Sequence, residues 1–353
     1  MRRIWVLWGV LMLVLLPVQR MVAQSALRMQ NYSHELSEHM VTDIRQDERG
    51  FLWFSTWNGL HRFDGYTFKN YKTYPGEECV MESNRVLMFR INQSGNIWCL
   101  DYDRNIYLFN PHTERFYAFA TTLENRFGKS STFSNIICTP DRLSYLISSR
   151  AIYRVDEQAF DPRTGEGIVY QTFEELGIDR VVDVVCPPGA KSWMVCDRRL
   201  VAADQTVAIP EGITLCAAIV SGEKIWLASK EGHLGSFTPS TGLLAWEQLP
   251  IDQASINFLQ RLDDDLLAIG TNRGILLYSI HAHRYSHYDP ARSGIGSSNV
   301  TDCYRDSKNN LWLFTERDGV VRCDLASGPK APLMGRIRRS RSCSRRSVSR
   351  SGR

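Results

Sequence analysis

Alternating apolar and polar residues divide the first part of the chain into short strands. Residues 41–46 form one such segment, followed by residues 51–56, 60–63 and 68–71, here called strands a to d. The turns between them contain Gly50, Gly59 and Gly65, at positions where a hairpin needs the positive φ that glycine adopts at little cost. The pattern therefore predicts a four-stranded antiparallel unit.

The second strand of this unit recurs along the whole chain. Six positions align with Trp53 at intervals of 33 to 48 residues, namely Trp98, Tyr145, Trp193, Trp226, Ala268 and Trp312. A period of about 40 residues with four strands in each unit is typical of a β-propeller. We therefore predict an all-β fold, a seven-bladed β-propeller within residues 24–328, with the aligned tryptophans packed between blades.

The seventh unit lacks a fourth strand of its own. Its strands lie at residues 300–304, 311–315 and 320–323, and the pattern then stops. The segment Leu27 to Tyr32 precedes the first strand a and is free to take the missing place. We expect this N-terminal strand to close the ring, because closure removes the free edges of an open sheet.

The first and last units carry a family resemblance. Residues 41–65, with Asp47-Glu48-Arg49-Gly50 before Phe51-Leu52-Trp53-Phe54, resemble the two-component regulator propeller repeat, and residues 300–315 are similar to it. The resemblance covers residues 27 to about 328 and is strongest in units one, two and seven. It implies the periplasmic sensor region of a hybrid two-component system, which detects a ligand, often an oligosaccharide, and signals to a histidine kinase.

The sequence departs from that family in length. The resemblance implies further propeller repeats, a β-sandwich domain, a membrane helix, and kinase and receiver domains, and this sequence shows none of them. Enzymatic activity is therefore not expected of this chain. We interpret it as a fragment of such a sensor, with any membrane attachment through the missing C-terminal parts.

The N-terminus resembles an export signal. Arg2 and Arg3 precede an apolar run over residues 4–18, and Met21-Val22-Ala23 offers a small-residue cleavage site. These features predict a secretory signal peptide over residues 1–23 and a periplasmic protein, the alternative being an uncleaved anchor. No other segment approaches the ~18 apolar residues of a membrane helix.

The C-terminal segment, residues 329–353, has a different composition. It carries nine basic residues and no acidic one, so subtracting it changes the net charge from +4 to −5. Such an Arg- and Ser-rich segment is expected to be disordered. A basic arm for an anionic surface is one interpretation; out-of-frame translation after a frameshift is favoured, since the pattern breaks where another blade would follow. The mildly acidic remainder and the export signal argue against nucleic acid as a partner.

Motifs for catalysis, metals or cofactors are absent from the sequence. It has no GxSxG, HExxH, phosphate-binding loop or zinc-spaced cysteine pair, so we expect no cofactor. His281, His283 and His287 form the one metal-like group, but no acidic residue or cysteine stands at matching spacing, and we expect solvated histidines. Most cysteines fall in or beside strands of different blades and are interpreted as buried apolar residues; a disulfide between Cys303 and Cys323 is the alternative.

The turns between strands b and c offer the best candidate binding site. In a propeller these turns gather at one end of the central channel, together with the loops that connect strand d to the next strand a. Arginines suit carboxylate or sulfate groups, and exposed aromatic rings can stack on sugars. The ligand-binding candidates are Trp57, Asn58, Tyr102, Arg104, Arg150, Arg198, Arg273 and Arg317.

Other interpretations of these turns stay open. Surface turns are commonly charged, and nearby acidic residues could satisfy the arginines. An enzyme of the lyase or glycosidase type would need paired carboxylates on the rim, with a spacing of about 10 Å or less. A protein-binding scaffold would show a continuous apolar patch on an outer face. A homodimer is a further possibility.

Overall fold

The computed structural model describes residues 29–31, 41–77, 81–128, 131–293, 295–315 and 319–324. The predicted signal peptide, residues 1–23, and the basic segment, residues 329–353, lie outside these ranges. Within them the chain forms seven four-stranded antiparallel sheets. The predicted seven-bladed β-propeller is therefore confirmed.

The strands follow one another blade by blade. Strand β1 (Met29–Asn31) comes first. Blade 1 contains β2 (Val41–Gln46), β3 (Leu52–Thr56), β4 (Gly59–Phe63) and β5 (Phe68–Tyr71). Blade 2 contains β6 (Val86–Ile91), β7 (Ile97–Asp101), β8 (Ile106–Asn110) and β9 (Arg115–Ala118). Blade 3 contains β10 (Phe133–Cys138), β11 (Leu143–Ser148), β12 (Ala151–Asp156) and β13 (Ile168–Thr172). Blade 4 contains β14 (Val181–Val185), β15 (Trp193–Cys196), β16 (Arg199–Ala202) and β17 (Gln205–Ala208).

The remaining three blades repeat the arrangement. Blade 5 contains β18 (Leu215–Ser221), β19 (Lys224–Ser229), β20 (His233–Thr238) and β21 (Leu243–Gln248). Blade 6 contains β22 (Ile256–Arg261), β23 (Leu266–Thr271), β24 (Gly274–Ser279) and β25 (Arg284–Tyr288). Blade 7 contains β26 (Val300–Arg305), β27 (Asn310–Thr315) and β28 (Gly319–Asp324).

Strand β1 completes blade 7. It pairs antiparallel with β28, placing Gln30 opposite Arg322, so that the sheet order is β1-β28-β27-β26. Each end of the described chain thus supplies part of one blade. The expected closure by an N-terminal strand is confirmed, and the closing strand lies inside the predicted segment Leu27 to Tyr32.

The aligned strand b residues occupy one structural position. Each of the seven pairs with the fifth residue of strand a in its own blade, from Arg45 opposite Trp53 to Tyr304 opposite Trp312. The tryptophans pack against the next blade: the Trp53 ring lies 5.9 Å from that of Phe109. Hydrophobic clusters of the described residues fall one at each of the seven blade junctions. Burial between blades, the dominant stabilising term, explains why large apolar residues recur at this register.

Every strand a carries an irregularity at the same place. The pairing with strand b shifts by one residue near the start of each, which is a β-bulge. The bulge directs some side chains to the next blade, since the Thr42 hydroxyl donates to the Val86 carbonyl at 2.7 Å. The Asn257 amide donates to the Val300 carbonyl at 2.8 Å in the same way. These bonds join neighbouring blades around the channel.

Two helices interrupt the described strands, and the sequence analysis predicted neither. Helix α1 (Phe119–Phe127) fills the loop between blades 2 and 3, buries Phe119 and Leu123, and ends at Gly128 with φ 61. Helix α2 (Pro290–Ser293) is a single turn before blade 7. Helix α1 is too short to be stable by propensity alone, so packing against the blades must hold it. Among the described residues, no helix combines the length and apolar character needed to cross a membrane.

The described cysteines are free thiols. Cys303 lies opposite Leu313, and Cys323 lies opposite Leu311, so the two flank opposite sides of β27. Two strand spacings amount to about 10 Å, beyond the reach of a disulfide. The Cys303–Cys323 alternative is therefore wrong. Burial raises the pKa of the Cys323 thiol to about 12, as expected for a buried apolar residue.

Candidate functional site

The b–c turns are tied by backbone hydrogen bonds to the loops that precede strand a. The Tyr102 amide donates to the Arg85 carbonyl at 2.9 Å, and the equivalent bond recurs in blades 3, 5 and 6. The Arg104 carbonyl in turn accepts from the amide of Phe133, the first residue of the next blade, at 2.8 Å. Turns and loops therefore form one structured end of the propeller, here called the rim.

Buried hydroxyl groups at the end of strand b hold individual turns. Thr56 Oγ1 accepts from the Asn58 amide at 2.9 Å, and Thr271 Oγ1 accepts from the Arg273 amide at 3.0 Å. Ser148 Oγ accepts from the Ala151 amide at 3.0 Å. Small hydroxyl residues favour such local bonds to the backbone. The side chains at the turn tips are consequently presented from fixed positions.

An arginine lies between two exposed aromatic rings on blades 1 and 2. The Arg85 Cζ atom is 5.5 Å from the Trp57 ring centroid and 5.5 Å from the Tyr102 ring centroid. The two aromatic residues are 42% and 51% exposed. Attraction between the guanidinium and the electron-rich ring faces favours this arrangement.

Further side chains extend the group towards blade 1. Lys72 Nζ lies 5.2 Å from the Tyr74 ring centroid and 3.4 Å from Asn58 Oδ1. Of the six large hydrophobic side chains that the described residues leave exposed, three belong to this group. We call it the rim cluster, consisting of Trp57, Asn58, Lys72, Tyr74, Arg85 and Tyr102. Its aromatic faces and cationic donors suit a ligand with both apolar and anionic parts.

One histidine, His61, lies beneath the rim cluster. His61 is buried, and its Nε2 lies 3.1 Å from Thr56 Oγ1. Burial, together with the nearby Lys72 charge, lowers the His61 pKa to about 4, so the ring is neutral at neutral pH. His61 therefore supports the turn of blade 1.

The predicted arginines are spread around the rim. Arg104, Arg150, Arg198 and Arg273 are exposed on blades 2, 3, 4 and 6. Among the described residues, none of these four guanidinium groups has a hydrogen-bond or ion-pair partner. Only Arg104 shares a turn with the rim cluster. Arg317 lies outside the described residues.

Sequence reasoning found two aromatic residues of the rim cluster and missed three of its members. Lys72, Tyr74 and Arg85 belong to the loop from strand d of blade 1 to strand a of blade 2. A usable signal was present: Tyr74 stands beside Pro75 and Gly76 in a polar loop, where an aromatic residue has no core to join. The prediction considered only the b–c turns and therefore left this loop out.

The three histidines of blade 6 have separate partners. His281 Nδ1 donates to Asp265 Oδ1 at 2.6 Å, His283 Nδ1 lies 3.0 Å from the Tyr278 hydroxyl, and His287 Nε2 donates to the Arg273 carbonyl at 2.8 Å. In the part of the chain that the structure describes, no three His, Cys, Asp or Glu residues are placed to hold a metal ion. The histidines therefore act singly.

Acidic and basic side chains of neighbouring strands a contact one another below the rim. Arg45 Nη1 contacts Asp43 Oδ1 at 2.8 Å, and Arg45 Nη2 contacts Asp302 Oδ2 at 3.4 Å. Arg90 contacts the other oxygen of Asp43. Sequence analysis missed this network, although Asp43, Asp183 and Asp302 recur at the third position of strand a. The network joins blades 1, 2 and 7 by charge as well as by packing.

The fold defines the chain as a seven-bladed β-propeller. Residues 35–58 match the sequence model of the two component regulator propeller family, so the resemblance noted above is confirmed and the chain carries this repeat. A 40-residue segment is 52% identical to histidine kinase P4 of Formosa agariphila, which amounts to 11% of this chain and 3% of that protein.

Solved structures share the fold. The extracellular domain of a protein assigned to the hybrid two component systems of B. thetaiotaomicron aligns with a TM-score of 0.67 at 18% identity, covering 84% of this chain and 42% of that one. The extracellular domain of a protein assigned to the one component systems of the same organism aligns with a TM-score of 0.65 at 18% sequence identity. The alignment covers 84% of this chain and 40% of that one. Virginiamycin B lyase from Staphylococcus aureus aligns with a TM-score of 0.64 at 13% sequence identity. The alignment covers 85% of this chain and 99% of that one. This chain thus spans about two fifths of the two extracellular domains, and these likenesses show the fold alone.

Proposed function

We propose that this chain is the ligand-sensing propeller of a hybrid two-component system and that it binds an oligosaccharide at the rim. The observation that carries the proposal is the placement of Arg85 between the exposed Trp57 and Tyr102 rings. An exported, periplasmic location is part of the proposal. It is supported by the signal-like residues 1–23 and by the extracellular origin of the two sensor domains of similar fold.

The chemistry of the rim favours an acidic or sulfated glycan. Flat aromatic faces such as Trp57, Tyr74 and Tyr102 pack against the apolar face of a sugar ring. Arginine presents a rigid fork of donors that matches carboxylate and sulfate oxygens. The exposed guanidinium of Arg104, which lacks a partner among the described residues, stands in the same turn as Tyr102. Together they supply stacking surfaces beside unneutralised positive charge.

Binding is favoured over catalysis at this site. Two rim carboxylates already serve the turns: Asp197 Oδ1 lies 3.6 Å from Arg180 Nη1, and Glu231 Oε2 accepts from the Thr214 amide at 2.9 Å. His61 is buried and neutral, and therefore poorly placed for acid–base work. The propeller would signal by altering its packing against a neighbouring domain or a second copy, provided that the ligand has different affinities for the two arrangements.

The test is oligosaccharide binding by the double variant Trp57→Ala/Tyr102→Ala. Titration calorimetry with sulfated, uronate-containing and neutral oligosaccharides should show preferential binding of the acidic ones. The double variant should bind at least about tenfold more weakly, a loss of about 1.4 kcal/mol or more, since both stacking surfaces are gone. Tyr66→Ala is the matched control, because Tyr66 is 93% exposed in a c–d turn at the opposite end.

Three outcomes would contradict the proposal. Unchanged affinity in the double variant would show that the rim cluster does not bind the oligosaccharide. Equal binding of neutral and acidic oligosaccharides would show that the arginines do not select the ligand. Release of shortened or unsaturated sugars during the titration would identify an enzyme of the lyase or glycosidase type instead.

A further inference from the structure

A cavity lies between blades 2 and 3, at the end of the propeller opposite the rim. Its volume is about 120 Å³. The a–b turn of blade 2 and the c–d turns of both blades form its walls. The lining residues that bear on its chemistry are Asn92, Asn96, Trp98, Asn110, Tyr117, Glu157 and Phe160.

One wall carries a buried indole N–H that lacks a partner. Trp98 is fully buried, and its Nε1 makes no hydrogen bond. In blades 1 and 7 the same N–H has one: Trp53 Nε1 donates to Asp47 Oδ2 at 3.0 Å, and Trp312 Nε1 donates to Asp306 Oδ2 at 2.9 Å. An unsatisfied donor at this depth destabilises the folded state.

The difference between the blades comes from a single residue. Asn92 stands where blades 1 and 7 have aspartate, and its Oδ1 already accepts from the Ser94 and Asn96 amides at 3.1 and 2.9 Å. Its remaining side-chain atom is an amide nitrogen, which is itself a donor. The Trp98 N–H therefore needs an acceptor from within the cavity.

On the opposite wall, Glu157 supplies hydrogen-bond acceptor atoms. Glu157 Oε1 accepts from the Ser144 hydroxyl at 3.0 Å, and Oε2 accepts from the Ser94 amide at 3.2 Å. Burial raises the Glu157 pKa, which marks a site where a second negative charge would be costly. Tyr117 and Phe160 contribute aromatic surface between the two walls.

We propose that this cavity binds a small neutral polyhydroxy compound, such as one sugar residue. A hydroxyl group accepts from Trp98 Nε1 and from an asparagine amide while donating to Glu157, and the aromatic rings pack on carbon. A single bridging water needs only about 10–15 Å³, so the space exceeds that of one water. The inference is independent of the rim, because it rests on other residues at the other end.

The test follows the Trp98 indole N–H by NMR in the full chain, with methyl β-D-glucopyranoside as the probe. Trp98→Phe assigns the resonance. The resonance should shift saturably with the probe, and the acidic analogue methyl glucuronide should leave it in place. Asn92→Asp is the matched variant, since it copies the residue of blades 1 and 7. It gives Trp98 an internal acceptor, and the probe should then bind at least about tenfold more weakly.

One control separates this site from the rim. Trp57→Ala/Tyr102→Ala should leave the Trp98 shift unchanged, so failure of the rim proposal would not affect this one. A shift that never saturates, that is as strong in Asn92→Asp, or that disappears with the rim variant would overturn the inference. If Asn92→Asp loses native structure, Asn96→Leu makes the same test, because it narrows the cavity without removing an Asn92 contact.

Discussion

At the scale of single residues, Asp183 is a carboxyl group whose pKa is raised far above its ordinary value. It lies at the bulge of β14, and its Oδ1 accepts from the Val184 amide at 2.8 Å. Burial raises its pKa to about 7, a shift opposed by backbone donors and by the Arg90 charge. A charged Asp183 is therefore a cost to the folded state.

That cost makes stability depend on pH. The pKa of Asp183 in the folded protein lies above the ordinary value of 3.8. The contribution of protonated Asp183 to folding stability is therefore fully present below pH 3.8 and is lost as the pH rises through about 7. Asp183→Asn keeps the acceptor and removes the charge. We expect this variant to be more stable than the parent at about pH 8, with the advantage shrinking towards about pH 4. Urea unfolding at several pH values measures the difference.

The control is Asp64→Asn in the exposed c–d turn of blade 1. Bonds from the backbone amides of Thr67 and Tyr66 lower the Asp64 pKa, so its replacement should give no gain at high pH. An advantage of Asp183→Asn that is equal at all pH values would contradict the assignment to charge burial.

The residue scale also shows what sequence alone can deliver. The register of Trp53 with its six counterparts was predictable, because a large apolar residue at a constant period reports a constant burial site. The missing hydrogen-bond partner of the Trp98 indole N–H was not predictable from the sequence. Asn92 and Asp47 look equivalent in a turn pattern, and the difference matters only once the indole is placed beside it.

At the scale of elements, the b–c turns of blades 1 and 6 depend on glycine. Gly59 and Gly274 have φ of 107° and 106°. A Cβ at Gly274 would lie 2.2 Å from the Tyr288 carbonyl oxygen, and one at Gly59 would lie 2.4 Å from the Tyr71 carbonyl oxygen. Both conformation and close approach therefore exclude a side chain.

Gly274→Ala should accordingly be strongly destabilising. The loss should exceed about 2 kcal/mol, because the backbone penalty of about 1–2 kcal/mol adds to the contact with Tyr288. Gly65→Ala is the matched control: φ is 105°, but nothing lies within 4 Å of the added atom. It should show the backbone penalty alone. Equal losses in urea unfolding would mean that the blade 6 turn yields to the new atom.

Strands and turns were predictable as elements, whereas connections between blades were not. Gly50, Gly59 and Gly65 have the positive φ that the hairpin pattern required. Helix α1 was missed because its few apolar residues make sense only against the faces of blades 2 and 3. The meeting of Arg85 with Trp57 and Tyr102 was missed for a related reason: it depends on the distance between blades, which local periodicity does not contain.

At the scale of the whole molecule, strand β1 decides whether the ring has an edge. Its three residues face Val321, Arg322 and Cys323 on β28. Removal of residues 1–31 would expose β28, and cross-strand pairs of this kind contribute roughly 0.2–1 kcal/mol each. We expect a loss of about 1–3 kcal/mol and self-association through the open edge. Thermal unfolding and sedimentation at several concentrations measure both effects.

Removal of residues 1–23 alone is the corresponding control. It takes away the predicted signal peptide and leaves β1 in place, so stability and oligomeric state should match those of the parent. If the shorter protein lacking β1 were equally stable and monomeric, closure by this strand would contribute nothing to the ring.

The backbone bonds at the rim bear on how new specificities arise. Amides and carbonyls of turns such as those at Tyr102 and Arg104 are already paired with one another and with the next blade. The stability of the fold therefore depends little on the side chains at the turn tips. Mutation can exchange one aromatic or charged residue for another there without disturbing the blades, and a single scaffold can diverge to recognise many different ligands while its architecture stays constant.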